Sequence, residues 1–133
     1  MNARILATLK AIRASVKAAL WRPALWALLA TDRRAGLVLL YHDVDDRDGD
    51  ARSELVPPIS RVRLAGQLTH LRRYYRPVEL TGLQAAVAAR RRGEPFPVSL
   101  TFDDDLGHHL SHAMPELARA NTPATFFLCG SFL

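Results

Sequence analysis

Residues 97–130 read PVSLTFDDDLGHHLSHAMPELARANTPATFFLCG, and three adjacent carboxylates, Asp103, Asp104 and Asp105, follow directly on the first apolar run. Like charges side by side repel, and each costs more where water is scarce. A divalent cation offsets that repulsion, and carboxylates are ordinary ligands for Zn²⁺, Mg²⁺ or Mn²⁺. Two metal chemistries suit such a group. One is hydrolysis by a metal-bound water that a neighbouring carboxylate activates. The other is Mg²⁺-dependent phosphoryl transfer through the D-x-D pair Asp103 and Asp105, the first attacking phosphorus and the second acting as acid. A plainer reading makes the triplet an acidic loop that caps the following helix.

The elements around the triplet favour a site. VSLTF is a strand, and the aspartates stand where it opens into a loop. In parallel α/β folds, ligands and catalytic groups collect at such C-terminal strand ends. Upstream, GLVLLYHDV is a continuous aliphatic run expected of a strand buried on both faces. The acidic segment DVDDRDGDARSELVPP fails as a calcium loop. Aligning Gly49 with the turn glycine puts Val44 and Leu55 where the first and last ligands belong. It is expected to be a solvated loop. SRVRLAGQLTHLRRYY carries Val62, Leu64, Leu68, Leu71 and Tyr75 at roughly helical spacing, with Ser60 as N-cap. PVEL predicts a short strand. TGLQAAVAARRRGE predicts a helix capped by Thr81 and stopped near Gly93, with Arg90, Arg91 and Arg92 as its solvated end. After the triplet comes a helix in which Pro115 forces an early turn or a kink, then the strand PATFFLCG. Strands alternating with helices argue for α/β with a mainly parallel sheet. Cys129, the single cysteine, excludes an intrachain disulfide and reads as a buried thiol.

The net charge of +5 is unevenly placed. Residues 1–40 hold seven basic side chains against Asp32 alone, while the remaining 93 residues hold eleven basic and twelve acidic ones. The basicity belongs to the N-terminal segment, so no nucleic-acid partner is expected. There Ile5, Leu9, Ile12, Val16 and Leu20 recur at helical spacing, with Lys10, Arg13 and Lys17 on another face. No run approaches the ~20 apolar residues of a spanning helix, and the segment is a poor match to a cleavable signal peptide, so none is expected. Residues 1–35 are read as a basic amphipathic helix or leader. Residues 1–34 either lie on an anionic membrane surface, with Trp21 and Trp26 at headgroup level, or pack on the domain body. Membrane or cell-envelope association is expected ahead of a free cytoplasmic location.

LTFDD, the proline-bearing helix with MPEL, and PATFFLCG together resemble the start of the NodB homology domain of polysaccharide deacetylases, carbohydrate esterase family 4. YHDV is similar to that family's first strand, and RLAGQLTHLRRYYRPVEL to the segment before its TFDD motif. The resemblance covers residues 36–133, expected to be a partial NodB-like domain, the N-terminal part of a distorted (β/α) barrel. It implies metal-dependent removal of acetyl groups from N-acetylated polysaccharide or oligosaccharide. It also implies Asp103 as general base and Asp104 as ligand of a divalent metal, usually zinc; His42, at the end of the first strand, is read either as a pocket residue or as a structural strand-end histidine. The D-x-D reading matches haloacid-dehalogenase-type phosphatases less well, since Leu106-Gly107 replaces their usual continuation.

Two departures stand out. Asp105 occupies the family's usual glycine, adding a Cβ and a third charge at the pocket. The two histidine ligands normally lie beyond the ATFF strand, past Leu133, so the 133 residues alone are expected to be inactive. His108 and His112 stand four apart on one helix face, a spacing that suits a metal. They precede ATFF, however, and read as incidental histidines near the mouth of the site. His70 and His109 are expected at the surface. The remaining alternative is a non-catalytic, truncated membrane-surface protein.

Overall fold

The computed structural model describes residues 21–50, 52–104 and 107–128. The readings placed on residues 1–20, on Asp105 and on Cys129 therefore lie outside the described residues. The chain divides into two units, residues 1–33 with 91–94, and residues 34–90 with 95–133.

In the first unit, residues 21–29 form helix α1. Leu25 and Leu29, one turn apart, are buried, whereas Trp26 is 67% exposed. The Leu29 carbonyl accepts from the Gly93 N–H at 2.7 Å. Gly93 has φ +87°, a left-handed conformation that glycine adopts without a Cβ penalty. No described helix is long and apolar enough to cross a membrane.

The second unit contains β1 (Leu37–Tyr41), β2 (Val44–Asp45), β3 (Ile59–Ser60), α2 (Arg61–Tyr74), β4 (Arg76–Pro77), α3 (Leu83–Ala89), β5 (Pro97–Phe102), α4 (Met114–Arg119) and β6 (Ala124–Phe126). All pairings among the described residues are parallel. β5 pairs along its length with β1, with β4 at Pro97 and Val98, and with β6 from Leu100 to Phe102. β2 and β3 form a separate two-stranded ladder. This is the α/β, mainly parallel architecture expected from the sequence.

β5 is buried at every residue. Val98, Leu100 and Phe102 join Leu64, Leu68 and Leu71 of α2 and Leu117 of α4 in the core. Ser99 and Thr101 alternate with them and are also buried. Buried hydroxyls need partners. Ser99 donates to the Val78 carbonyl at 3.0 Å and Thr101 to the Leu39 carbonyl at 3.2 Å. The expectation that β1 is buried on both faces fails. Leu39 and Tyr41 pack on the core, whereas Val38 and Leu40 are each 52% exposed. Alternate strand residues point to opposite faces, and only one face of β1 meets the core.

α2 follows its sequence signals. The Ser60 hydroxyl accepts from the Arg63 N–H at 3.3 Å, and Leu64, Leu68 and Leu71 are its buried stripe. Val62 instead faces solvent at 81% exposure. α3 is shorter than the sequence suggested. Thr81 lies in the 3₁₀ turn Leu80–Gly82 that precedes it, and no side chain caps its start. Helix α3 ends at Ala89, and Arg90 is buried with its guanidinium 3.8 Å from the centre of the Phe96 ring, a cation–π contact rather than a solvated end.

The acidic segment after β1 is also more ordered than a plain solvated loop. Val44 is fully buried. Asp48 accepts from the Ser60 N–H at 2.7 Å, which holds its carboxyl below the usual range. A Cβ on Gly49 would lie 2.4 Å from Pro58 Cδ and 2.9 Å from Pro57 Cβ, so glycine is needed for this closure.

The predicted disturbance at Pro115 is a π turn over His109–Ala113 leading into α4. Proline has no N–H to give residue 111. The ladder widens, and the Met114 N–H reaches back five residues to the His109 carbonyl. α4 ends in a Schellman motif: Asn121 has φ +44°, the Thr122 N–H bonds the Leu117 carbonyl, and the Asn121 N–H bonds the Ala118 carbonyl.

Glu116, 7% exposed, accepts from Arg61 at 3.1 Å and from Arg119. The Arg119 hydrogen bond, then that of Arg61, outweighs burial and holds its carboxyl below the ordinary value of 4.5. Because the native group binds its proton less tightly than the unfolded one, its stabilisation is full above about pH 4.5 and is lost as pH falls through the lower native value. In urea titrations Glu116→Gln is expected to cost roughly 1–2 kcal/mol at neutral pH, the arginines being partly exposed. The deficit should shrink in acid below that window.

Candidate active site

One residue before the aspartates, β1, β5 and β6 bring three aromatic rings into one row. Tyr41, Phe102 and Phe126 are partners in register. Phe102 stacks on Tyr41 at 5.0 Å between ring centres and on Phe126 at 4.9 Å. Such pairs contribute ~0.5–1.5 kcal/mol each beyond their buried area. The Tyr41 hydroxyl donates to Gln67 Oε1 at 2.9 Å, and burial pushes its pKa up.

Asp103 is the first residue past this row, and its main chain is held at both ends. Its N–H donates to the Tyr41 carbonyl at 3.0 Å, and its carbonyl accepts from His109 Nε2 at 2.9 Å. His109 is 4% exposed, which corrects its expected place at the surface. Its ring meets Phe102 edge-on at 5.4 Å and tilts against Phe126 at 5.7 Å. A carbonyl can only accept, so Nε2 carries the proton, and the buried Nδ1 has no hydrogen-bond partner among the described residues.

Asp104 is exposed with φ +68°. Left-handed backbone is uncommon outside glycine, though aspartate tolerates it better than most residues. The chain turns here as the strand ends, so Asp103 and Asp104 both line one open cleft of about 470 Å³, with Phe127 and Leu128 of the segment after β6. Phe127 is fixed there by its N–H on the Phe102 carbonyl at 2.8 Å. Sequence reasoning missed Phe127 and Leu128, although ATFFL places them at the neighbouring strand end.

Of the other expected residues, His42, His108 and His112 are not among the described residues that line this cleft. His42 is the first residue past β1, one strand over from Asp103, half-buried and not among the cleft's lining residues. His108 and His112 face the loop after β1. His108 Nδ1 lies 3.1 Å from Asp43 Oδ1, and His112 Nε2 lies 3.5 Å from Asp46 Oδ1. Among the described residues, the one group of three or more His, Cys, Asp or Glu side chains able to hold a metal is Asp45, Asp46 and His112, its ligand atoms all within 4.8 Å of one another. Asp103 and Asp104 do not by themselves complete a donor set.

His109→Gln keeps a donor near the position of Nε2, whereas His109→Phe keeps the ring and loses the donor. Chemical denaturation is expected to show a loss of about 1–3 kcal/mol for the phenylalanine variant, which orphans the Asp103 carbonyl. The glutamine variant should recover most of that loss.

No protein-family model and no curated protein matches the sequence. Solved structures do. The IcaB structure from Ammonifex degensii is 34% identical with a TM-score of 0.54, over 70% of this chain and 38% of its own. A de-N-acetylase from Aggregatibacter actinomycetemcomitans is 26% identical with a TM-score of 0.54, over 67% of this chain and 35% of its own. The Streptococcus pyogenes deacetylase PplD, in complex with acetate, is 19% identical with a TM-score of 0.57, over 70% and 42%. The chain thus spans less than half the length of each of these structures. With the parallel strands, the TFDD strand end and ATFF beside it, these likenesses lead to one assignment: the chain carries a portion of a NodB-type polysaccharide deacetylase domain.

Proposed function

We propose that this chain supplies the general base and one metal-ligating carboxylate of a hydrolase that removes acetyl groups from N-acetylated sugar units of a polysaccharide or oligosaccharide. The observation that carries the reading is the convergence of Asp103 and Asp104 on one open cleft at the C-terminal end of the buried central strand. Asp103, pinned through both its N–H and its carbonyl, is a carboxylate whose backbone need not reorganise during reaction. Its role is to take the proton from a water as that water attacks the acetamide carbonyl, forming the C–O bond of the tetrahedral intermediate. Asp104, exposed at the turn, offers its oxygens to a divalent cation, zinc in our reading. Such an ion needs three or four protein donors. Its further ligands in this cleft, and the acid that protonates the leaving amine, would come from outside the described residues. The apolar walls, Phe127 and Leu128, suit the faces of a sugar ring.

The remaining elements of the reading concern location. The basic segment, residues 1–34, would hold the domain at an anionic membrane surface, in keeping with a substrate in the cell envelope.

A chimaera tests the catalytic assignment. Residues 36–128 replace the matching segment of the Ammonifex degensii protein, and acetate release from N-acetylglucosamine oligomers is followed. We expect the chimaera to release acetate and Asp103→Asn to reduce the rate by about 10²–10⁴-fold, the range for a lost general base. The 133-residue chain alone should release none. Full activity of the chimaera carrying Asp103→Asn, or Mg²⁺-dependent hydrolysis of p-nitrophenyl phosphate by the unaltered chain, would sink the proposal.

A further inference from the structure

The histidines that the cleft leaves unused are organised around a second centre. Ser111 Oγ donates to the Gly107 carbonyl at 3.1 Å and lies 2.9 Å from His112 Nδ1. A serine hydroxyl has one hydrogen, and a carbonyl can only accept. Both contacts are satisfied together when the serine proton goes to Gly107 and Nδ1–H donates to Ser111. In the neutral ring this leaves Nε2 as a bare lone pair. That lone pair is directed toward the acidic loop, 3.5 Å from Asp46 Oδ1, with an Asp45 oxygen inside the same 4.8 Å group.

A lone pair facing two carboxylates is repulsive unless a cation stands between them. A proton on Nε2 would draw the pair to the ~2.7–2.9 Å of a charge-assisted hydrogen bond. At 3.5 Å the pair is wider than that, and all three ligand atoms lie within 4.8 Å of one another. The nearest protein cation, Arg61, reaches Asp46 only at 3.9 Å and is engaged with Glu116 at 3.1 Å. His108 stands beside the group, its ring perpendicular to that of His112 at 5.1 Å and its Nδ1 on Asp43. The ligands come from elements that are themselves fixed: β2 is anchored by fully buried Val44, and His112 lies on the π turn that packs Ala113 into the core.

We infer that His112, Asp45 and Asp46 form a binding site for a divalent cation of the zinc class, distinct from the Asp103–Asp104 cleft and independent of the deacetylase reading. One imidazole and two carboxylates suit that class. Asp46 is 72% exposed at its side chain, so the ion sits at the rim with water completing its shell. Ser111 fixes the ring tautomer, as the partners of metal-bound histidines commonly do.

The test is Co²⁺ titration of the metal-stripped chain, followed by its visible absorption bands, with Zn²⁺ as competitor. One Co²⁺ is expected to bind and to be displaced by Zn²⁺. Outer-shell substitutions cost about 10–100-fold in affinity. Ser111→Ala should fall in that range, and His112→Ala and Asp46→Asn should exceed ~100-fold. Asp104→Asn should leave the bands in place. Two-dimensional ¹H–¹⁵N spectra of the unsubstituted chain supply a readout that does not depend on a variant folding. They should show His112 protonated at Nδ1 and a shift of its Nε2 on adding Zn²⁺. Absence of Co²⁺ binding, binding untouched by His112→Ala, loss on Asp104→Asn instead, or a His112 Nε2 that ignores Zn²⁺ would each overturn the site.

Discussion

The strand end depends on one contact, the stacking of Phe102 between Tyr41 and Phe126. It ties three parallel strands at the same level, and the next residue in the central strand is Asp103. Hydrogen bonds across a parallel sheet fix spacing but allow an end to fray. A row of rings packed face to face, with His109 edge-on behind it, removes that freedom where the sheet meets solvent. The chain can then reverse at Asp104 with positive φ, because the packing over-determines a conformation that is unfavourable on its own.

The same economy applies on the other side of β5. Its polar residues, Ser99 and Thr101, direct their hydroxyls to carbonyls of neighbouring chain segments, so both faces of the strand tolerate burial. The helical layer is locked by Glu116, which joins Arg61 at the start of α2 to Arg119 at the end of α4. Arg72 adds a bond to the carbonyl of Ala120 where α4 closes. Apolar packing holds the centre, and charge-assisted hydrogen bonds hold the helix ends against one another.

Much of this was legible in the sequence. The run PVSLTF followed by carboxylates identified the central strand and the cleft, and Ser60 with Leu64, Leu68 and Leu71 identified the longest helix of the domain. What could not be read were features that depend on distant partners. Arg90 looked like a solvated helix end because the Phe96 ring beneath it is six residues away across a turn. Val38 and Leu40 looked like core because hydrophobicity does not say which face a neighbour covers. His109 looked superficial because its burial follows from a widened turn, and an α-helical spacing rule places it wrongly.

That widened turn has a consequence for how three nearly adjacent histidines divide their work. In an unbroken α-helix, residues three and four apart share a face, so His109 would lean toward the side that holds His108 and His112. A wider turn takes more residues to come round. Four positions then still return to the same side, while three fall short of it. His108 and His112 stay ring against ring over the acidic loop, and His109 swings inward beneath the end of the central strand. Pro115 sorts the imidazoles by withholding a single N–H, so one backbone atom that is not there assigns each ring to its own compartment of the molecule.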